Sequence, residues 1–595
     1  MRRELDPDPA SRGRVALVSL AIVDHETLAA RTRAWIEGDP DPSTRDELEA
    51  LLDARAYEDL AERMAGGLEF GTAGLRGKVE GGSNRMNRAV VIRTTRGVVE
   101  HLVATGSATD AVIVVGRDAR LSSEEFMRDT VGVLAAAGLR VRYFPNVTPT
   151  PLVAYAARRL GARLAIVVTA SHNPRWDNGY KVFDENGAQI VPPVDSASAS
   201  AIESVRPANE VPRIRDPYGT GAGSVSPVPE DLFGSYLEEL HPYLPPAAGR
   251  GIRIVHTPFH GVGGRFTAAA LQRCGGHEVV RVDEQFEPDG RFPTVPFPNP
   301  EEPGSLDLAL TAAVDEDADL VLANDPDTDR LGVAVPDDGS WRVLTGNQIG
   351  VLLADRILSH STEHAPVVLS SIVSTPMIAA VSSAHSARYE RTLTGFKWIW
   401  NAALDIERDG GGTFVFGFEE ALGFSVAPIV RDKDGISAAV VFADLAAAAA
   451  VDGRTVLDLL GGLYARHGLW VSSQLSVHRT GSEGRGEIEA AVREAATLHP
   501  GPLGPEQVIA LHDYSVGAEH RPRYLGAANL VELSFASGGR VLVRPSGTEP
   551  KLKIYTDLRT AVGPGDDWKA AERDLLERSE AVASALALRI GLQEE

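Results

Sequence analysis

"AIVVTASHNPRWDNGYKVF", residues 165–183, decides how the chain is read. The β-branched run at Ala165, Ile166, Val167 and Val168 predicts a buried strand. It stops in Thr169, Ser171, His172, Asn173 and Pro174, which places these polar residues on the loop that follows. Ser171 beside His172 reads either as a nucleophile presented at a strand end or as a plain turn. In a turn, Ser and Asn bond their own backbone and Pro fixes the bend.

Working outward, the same rhythm repeats. "AVIVVGRDAR" (111–120) predicts a strand into a turn, "SEEFMRDTVGVLAAAG" (123–138) a helix, "LRVRYFP" (139–145) a strand and "TPLVAYAARRLG" (150–161) a helix. Such alternation is the mark of an α/β unit. Upstream, apolar and charged residues recur at helical spacing from Asp41 to Met64, predicting one surface helix that delivers the glycine-rich "GGLEFGTAGLRG" (66–77). Residues 205–231 are dense in Pro, Gly and Ser and read as a connection between domains.

A fresh alternation runs from "GIRIVHTPFHGVGG" (251–264) to "ADLVLANDPDTDRLGVAVP" (318–336). Another starts at "TGNQIGVLLADRIL" (345–358) and contains "GGTFVFGFEEALGFSV" (411–426). From Leu469 the texture changes to short strands and a closing amphipathic helix. A chain of 595 residues exceeds what one core can organise. The expected fold is α/β: three successive mixed α/β domains around a central cleft, plus a smaller C-terminal α+β domain. The expected boundaries are an N-terminal arm at 1–40 and domains at 41–230, 231–338, 339–465 and 466–595.

A formal charge of −23 argues against a nucleic-acid surface, which needs a basic footprint. The single cysteine, Cys274, excludes an internal disulfide and a Cys-based metal cage and fits a reducing, cytoplasmic setting. The apolar run from Val15 to Val23 is short and flanked by acidic residues, unlike a secretory signal. The Ala-rich run 436–451 is broken by Asp444, so it predicts a packed helix and no membrane partner.

Three further stretches carry chemistry. In "NDPDTDR" (324–330), Asp325, Asp327 and Asp329 alternate after an apolar strand, so an extended backbone would turn three carboxylates to one side. Three hard oxygen donors suit Mg²⁺; an acidic solvated turn is the plain alternative. In "RPSGTEPKLKIY" (544–555), Arg544, Ser546 and Thr548 offer donors around Gly547, which permits close backbone approach. The matching ligand is a phosphate; a hairpin turn would look the same. In "GFEEALG" (417–423), just before "RDKDG" (431–435), glycine-bounded carboxylates suit sugar hydroxyls or simply a charged surface.

Taken in order, one per predicted domain, these four stretches resemble the α-D-phosphohexomutase family, which includes phosphoglucomutases and phosphomannomutases. The family pattern has a TASHNP phosphoserine loop, a DGDxDR-like magnesium loop, a GExSG-like sugar loop and an RxSGTEP-like phosphate loop. The match runs from about Gly67 onward, and "EFGTAGLRG", "TGFKWIW" and "FEEALGF" look most like the phosphoglucomutase-2/phosphopentomutase branch.

The resemblance implies an isomerase with a phosphoryl group on Ser171 and Mg²⁺ held by Asp325, Asp327, Asp329 and an oxygen on Ser171. It implies Arg76 and Arg330 as cationic helpers, and His172 and Lys181 as the acid/base candidates. Glu419 and Lys433 would read the sugar, while Arg544, Ser546, Gly547 and Thr548 would anchor the non-reacting phosphate. The implied partner is a small-molecule sugar phosphate. The implied reaction moves phosphate between C1 and C6 of glucose, or of mannose, through a phosphoserine and a sugar bisphosphate of the glucose 1,6-bisphosphate type. Phosphopentomutase and glucose 1,6-bisphosphate synthase activities are the alternatives. Two departures stand out: the metal loop reads "DPDTDR" without the usual glycine, and Ala421 stands where many relatives carry Ser.

Overall fold

The computed structural model describes residues 24–71, 74–219, 224–246, 249–479, 481–546 and 551–592. Four sheets are built in chain order. The first has six strands in the order Leu75–Lys78, Asp177–Phe183, Leu164–Val168, Val112–Arg117, Arg140–Tyr143, Val225–Pro227. Its last four strands are parallel, and its first two run antiparallel as one edge. The strand Leu164–Val168 is buried at every position, as a parallel strand covered on both faces must be.

The second sheet centres on the parallel strands Leu320–Ala323, Arg253–Thr257 and Glu278–Arg281, and extends through the antiparallel hairpin Gly332–Asp337 and Ser340–Val343. The third orders Arg388–Thr392, Pro366–Ser371, Thr413–Glu419 and Gly423–Ser425. The fourth is a six-stranded antiparallel sheet backed by the helix Trp568–Arg589. One continuous apolar cluster links all four units, reaching from Val153 and Leu322 through Phe418 and Leu463 to Leu552 and Ile554.

Two expectations change. The predicted single helix 41–64 is two helices, Pro42–Asp53 and Tyr57–Arg63, broken at Arg55, whose φ is +55°. The break lets Leu48 and Leu60 share one cluster with Leu28 and Ile36 of the preceding helix His25–Gly38, which a straight rod would not allow. The Pro/Gly/Ser-rich stretch 205–231 is more than a connection: Val225–Pro227 pairs in parallel with Arg140–Tyr143 as the sheet's edge strand. An edge tolerates proline because its outer N–H side needs no partner. Residues 1–23 of the expected N-terminal arm lie outside the described residues.

The Ala-rich helix Gly435–Val451 is buried along most of its length. Among the described residues, no single helix is long and apolar enough to cross a membrane.

Candidate active site

Three of the sheets deliver their chemistry-bearing loops from strand ends to one place, where open α/β sheets put their sites. From the first, Leu164–Val168 leads to Ser171, which is held at φ +52° and is 1% exposed. From the second, Leu320–Ala323 leads to the three aspartates. From the third, Thr413–Glu419 ends on Glu419 itself.

The aspartates converge, although not through an extended backbone. Thr328 N–H donates to the Asp325 carbonyl (2.9 Å), and Thr328 has φ +66°, so the segment is a turn. The turn brings one oxygen of each carboxylate within 4.8 Å of the others. Asn324 closes it by donating from Nδ2 to the Arg330 carbonyl (2.7 Å), and the Arg330 N–H donates to Asp325 Oδ1 (3.0 Å).

The Ser171 hydroxyl donates to Asp325 Oδ2 at 2.6 Å. Lys181 Nζ donates to Asp327 Oδ2 and Asp329 Oδ2, each at 2.7 Å, and Lys433 Nζ lies 3.1 Å from Asp329 Oδ2. Arg330 reaches Asp329 at 3.9 Å and Glu301 at 3.7 Å. Arg76 Nη1 donates to Asn173 Oδ1 (2.8 Å), and its Nε is buried without a hydrogen-bond partner. Glu419 Oε1 accepts from the Gly395 N–H (2.7 Å).

Burial and the Asp327 and Asp329 charges raise the Asp325 carboxyl above its ordinary range. Burial pushes Asp327 and Asp329 the same way, but the Lys181 ammonium outweighs it and holds both below that range. His172 is pulled well down by burial and by the Arg330 and Arg76 cations, so its ring is neutral near pH 7. Glu419 is pushed up to about 7 by burial and by the charge of Glu420.

These donors fit a hard divalent cation. Asp327 Oδ1 and Asp329 Oδ1 are buried without a hydrogen-bond partner, three carboxylates share the site, and the Ser171 oxygen adjoins them.

The expected phosphate anchor lies on the fourth sheet. Arg544 lies near the end of the strand Arg540–Pro545, and the Ser546 N–H donates to the Lys551 carbonyl (2.7 Å). Among the described residues, no hydrogen bond or ion pair joins Arg544 or Ser546 to Ser171 or the aspartates. Gly547 and Thr548 lie outside the described residues.

Several site residues escaped the sequence reading. Thr150 Oγ1 donates to Asp327 Oδ2 (2.6 Å), tying the first unit to the metal loop. Ser371 and Ser374 donate to Glu420 Oε2 (2.9 and 3.2 Å) behind the sugar loop. Arg120 binds the carbonyls of the Ser171 loop. Its one signal is position: "GRDAR" ends a strand beside the one that leads to Ser171.

Family models for the phosphoglucomutase/phosphomannomutase domains match in order: α/β/α domain I at residues 67–208, domain II at 234–339, domain III at 345–467 and the C-terminal domain at 519–562. A probable phosphomannomutase of Haemophilus influenzae is 36% identical over 84% of this chain and 98% of its own. A mouse phosphopentomutase is 34% identical over 91% of each chain. The crystal structure of a putative phosphomannomutase from Thermus thermophilus shares the fold, with a TM-score of 0.64 at 22% identity, over 86% of this chain and 98% of that one. With its four domains matched and relatives aligned over nearly their whole lengths, the chain belongs to the phosphoglucomutase/phosphomannomutase family of phosphomutases.

Proposed function

We propose that this enzyme moves a phosphoryl group between C1 and C6 of a hexose monophosphate, with glucose 1-phosphate the preferred substrate and mannose 1-phosphate accepted. The phosphoryl-transfer part of this reading rests on the 2.6 Å contact between the Ser171 hydroxyl and Asp325 at the edge of a buried three-carboxylate cluster. A phosphate monoester resists attack because its oxygens are charged, so transfer needs a positioned oxygen and concentrated positive charge.

Ser171 Oγ is the proposed phosphoryl carrier. It gives the group to the free hydroxyl of a sugar monophosphate, and the resulting sugar bisphosphate turns over in the site and returns its other phosphate to Ser171. Asp325, Asp327, Asp329 and the Ser171 oxygen would hold Mg²⁺, which when bound supplies charge neutralisation on the phosphoryl oxygens. Lys181 and Lys433 orient the aspartates, and Arg76 and Arg330 present cations to the group in flight. Neutral His172, with Nδ1 3.3 Å from Ser171 Oγ, is placed to take the proton of Ser171 when its Oγ accepts a phosphoryl group back from the bisphosphate. Glu419 accepts from sugar hydroxyls, and Arg544, Ser546, Gly547 and Thr548 anchor the phosphate that is not reacting.

A pentose 1-phosphate is the second reading. Ala421 removes a hydroxyl from the sugar loop, and a phosphopentomutase matches over 91% of both chains. Coupled rates with glucose 1-, mannose 1- and ribose 1-phosphates, each primed with the matching bisphosphate, decide the order. Ribose 1-phosphate exceeding both hexoses in kcat/KM overturns the hexose reading. Net formation of glucose 1,6-bisphosphate from a separate phosphoryl donor, without isomerisation, would make the enzyme a synthase.

A further inference from the structure

Arg120 spends all five of its side-chain N–H donors inside the protein. Nε donates to Asp118 Oδ2 (3.1 Å), Nη1 to the carbonyls of Pro174 (2.7 Å) and Asp177 (2.9 Å), and Nη2 to those of Ser171 (2.5 Å) and Asn173 (2.6 Å). The residue is 2% exposed. Four of the five acceptors belong to the loop that carries Ser171 and to its exit. A lysine has three donors on one point, so it cannot replace a planar fork of five.

That loop needs holding from outside. Ser171 sits at φ +52°, a region that side-chain-bearing residues seldom occupy unless the surroundings enforce it. Asp118 is itself fixed, accepting from the Arg120 N–H (3.0 Å) and from Ser123 Oγ (2.6 Å). The face of the guanidinium is covered by Phe292, 5.3 Å away, from a loop of the second unit that lies ahead of the helix Asp307–Asp315. Gly290 in that segment lies so close that a Cβ would meet the Ala119 carbonyl at 2.3 Å and Arg120 Cα at 2.8 Å. The Arg120 fork therefore joins the Ser171 loop to the unit that bears the aspartates.

We propose that Arg120, seated between Asp118 and Phe292, is a positioning residue that sets Ser171 Oγ in line for phosphoryl transfer to the sugar. The inference rests on the phosphoserine mutase reading above. In transfer, the Ser171 Oγ–P bond breaks as an O–P bond forms to a sugar hydroxyl; the hydroxyl's proton leaves to a base, and the departing Ser171 Oγ takes up a proton to become the free hydroxyl. In the competing hydrolysis, water supplies the oxygen and the proton. Alignment matters for transfer, because the sugar hydroxyl is fixed by its own contacts. Water can approach from wherever it fits.

The test measures both rates. Enzyme phosphorylated with glucose 1,6-bisphosphate is chased with glucose 1-phosphate or with buffer alone, and loss of phosphate from Ser171 is followed by rapid quench. Arg120→Lys should lower the transfer rate per phosphorylated site by roughly 100-fold, the scale of a misplacement of about 1 Å, without slowing hydrolysis. Phe292→Leu, which leaves the fork in place but removes its aromatic cover, should lower the same ratio by a smaller factor. A purely structural role would reduce the amount of active protein and leave the ratio of transfer to hydrolysis unchanged in both variants, and that result overturns the proposal. If Arg120→Lys does not fold, an unchanged ratio in Phe292→Leu and Asp118→Asn overturns it equally. Failure of wild type to take phosphate on Ser171 removes the mutase reading, and this inference with it. An intact wild type with unaltered ratios in the variants removes this inference alone.

Discussion

Ser171 and Asp325, 154 positions apart, are joined by a 2.6 Å hydrogen bond that ties the loop of the first sheet to the loop of the second. The serine is nearly inaccessible, so its partner is set by the fold and not by surface chance. Ser171→Ala should remove nearly all turnover. It should cost about 1–3 kcal/mol of stability, because the buried Asp325 Oδ2 loses its donor. Peptide mass spectrometry should find phosphate on residues 167–181 of wild type loaded with a sugar bisphosphate, and none on the variant. A variant that retains activity, or a wild type with no phosphate there, ends the carrier assignment.

Asp327 is held from two sides. Its Oδ2 accepts from Lys181 and Thr150, and its Oδ1 is buried without a hydrogen-bond partner. Asp327→Ala removes one of three hard ligands and leaves Lys181 with Asp329 alone. The expected result is loss of Mg²⁺ binding in calorimetry, loss of turnover that excess Mg²⁺ does not restore, and a stability cost of about 3–5 kcal/mol from the broken buried pair. In wild type, chelation should stop turnover and Mg²⁺ should restore it. Full activity of Asp327→Ala without added metal contradicts the metal site.

Much of this was legible in the sequence because the signals were local. A β-branched run ending in polar residues gives a strand and its loop, and three aspartates within five residues after a strand put three carboxylates on one short loop. The path itself was not legible: the cluster forms through a turn at Thr328, because Asn324 and Asp325 bind the backbone further along the loop. Contacts between units were also hidden. Nothing near Thr150 announces Asp327, 177 positions away. Such pairings depend on how separate sheets pack, and hydrophobic periodicity carries no record of that.

Glu419 gives the pH dependence its sign. Its ordinary value is 4.5, and burial with the neighbouring Glu420 charge pushes it up to about 7. Between those values the unfolded chain loses the proton while the folded protein keeps it, so this group makes stability fall as pH rises from about 4.5 to about 7 and contributes no further slope above. The ionised carboxylate is the better acceptor for sugar hydroxyls, so kcat/KM should rise with pH toward a plateau above about 7. Glu419→Gln should lower kcat/KM for every substrate, abolish that rising limb and flatten the corresponding part of the stability profile. An unchanged limb in the variant would assign it to another group.

Ala421 is where substrate choice should be most open to change. It lies in the turn between Thr413–Glu419 and Gly423–Ser425, next to Glu420 and to Leu422, whose φ is +61°. Glu419 can accept from a sugar hydroxyl, but the alanine offers no hydroxyl of its own. A site discriminates strongly only when the wrong substrate leaves buried polar groups unpaired, and removing one such group lowers that penalty. Wild type should therefore turn over glucose 1-phosphate well, with mannose 1-phosphate or a pentose 1-phosphate measurable beside it. Ala421→Ser should raise the ratio of hexose to pentose kcat/KM by about fivefold, the equivalent of one net hydrogen bond near 1 kcal/mol. The check is a panel of single-substrate progress curves on both proteins. A wild type confined to one sugar phosphate, or a serine variant with an unchanged ratio, would show that the discrimination is set elsewhere in the site.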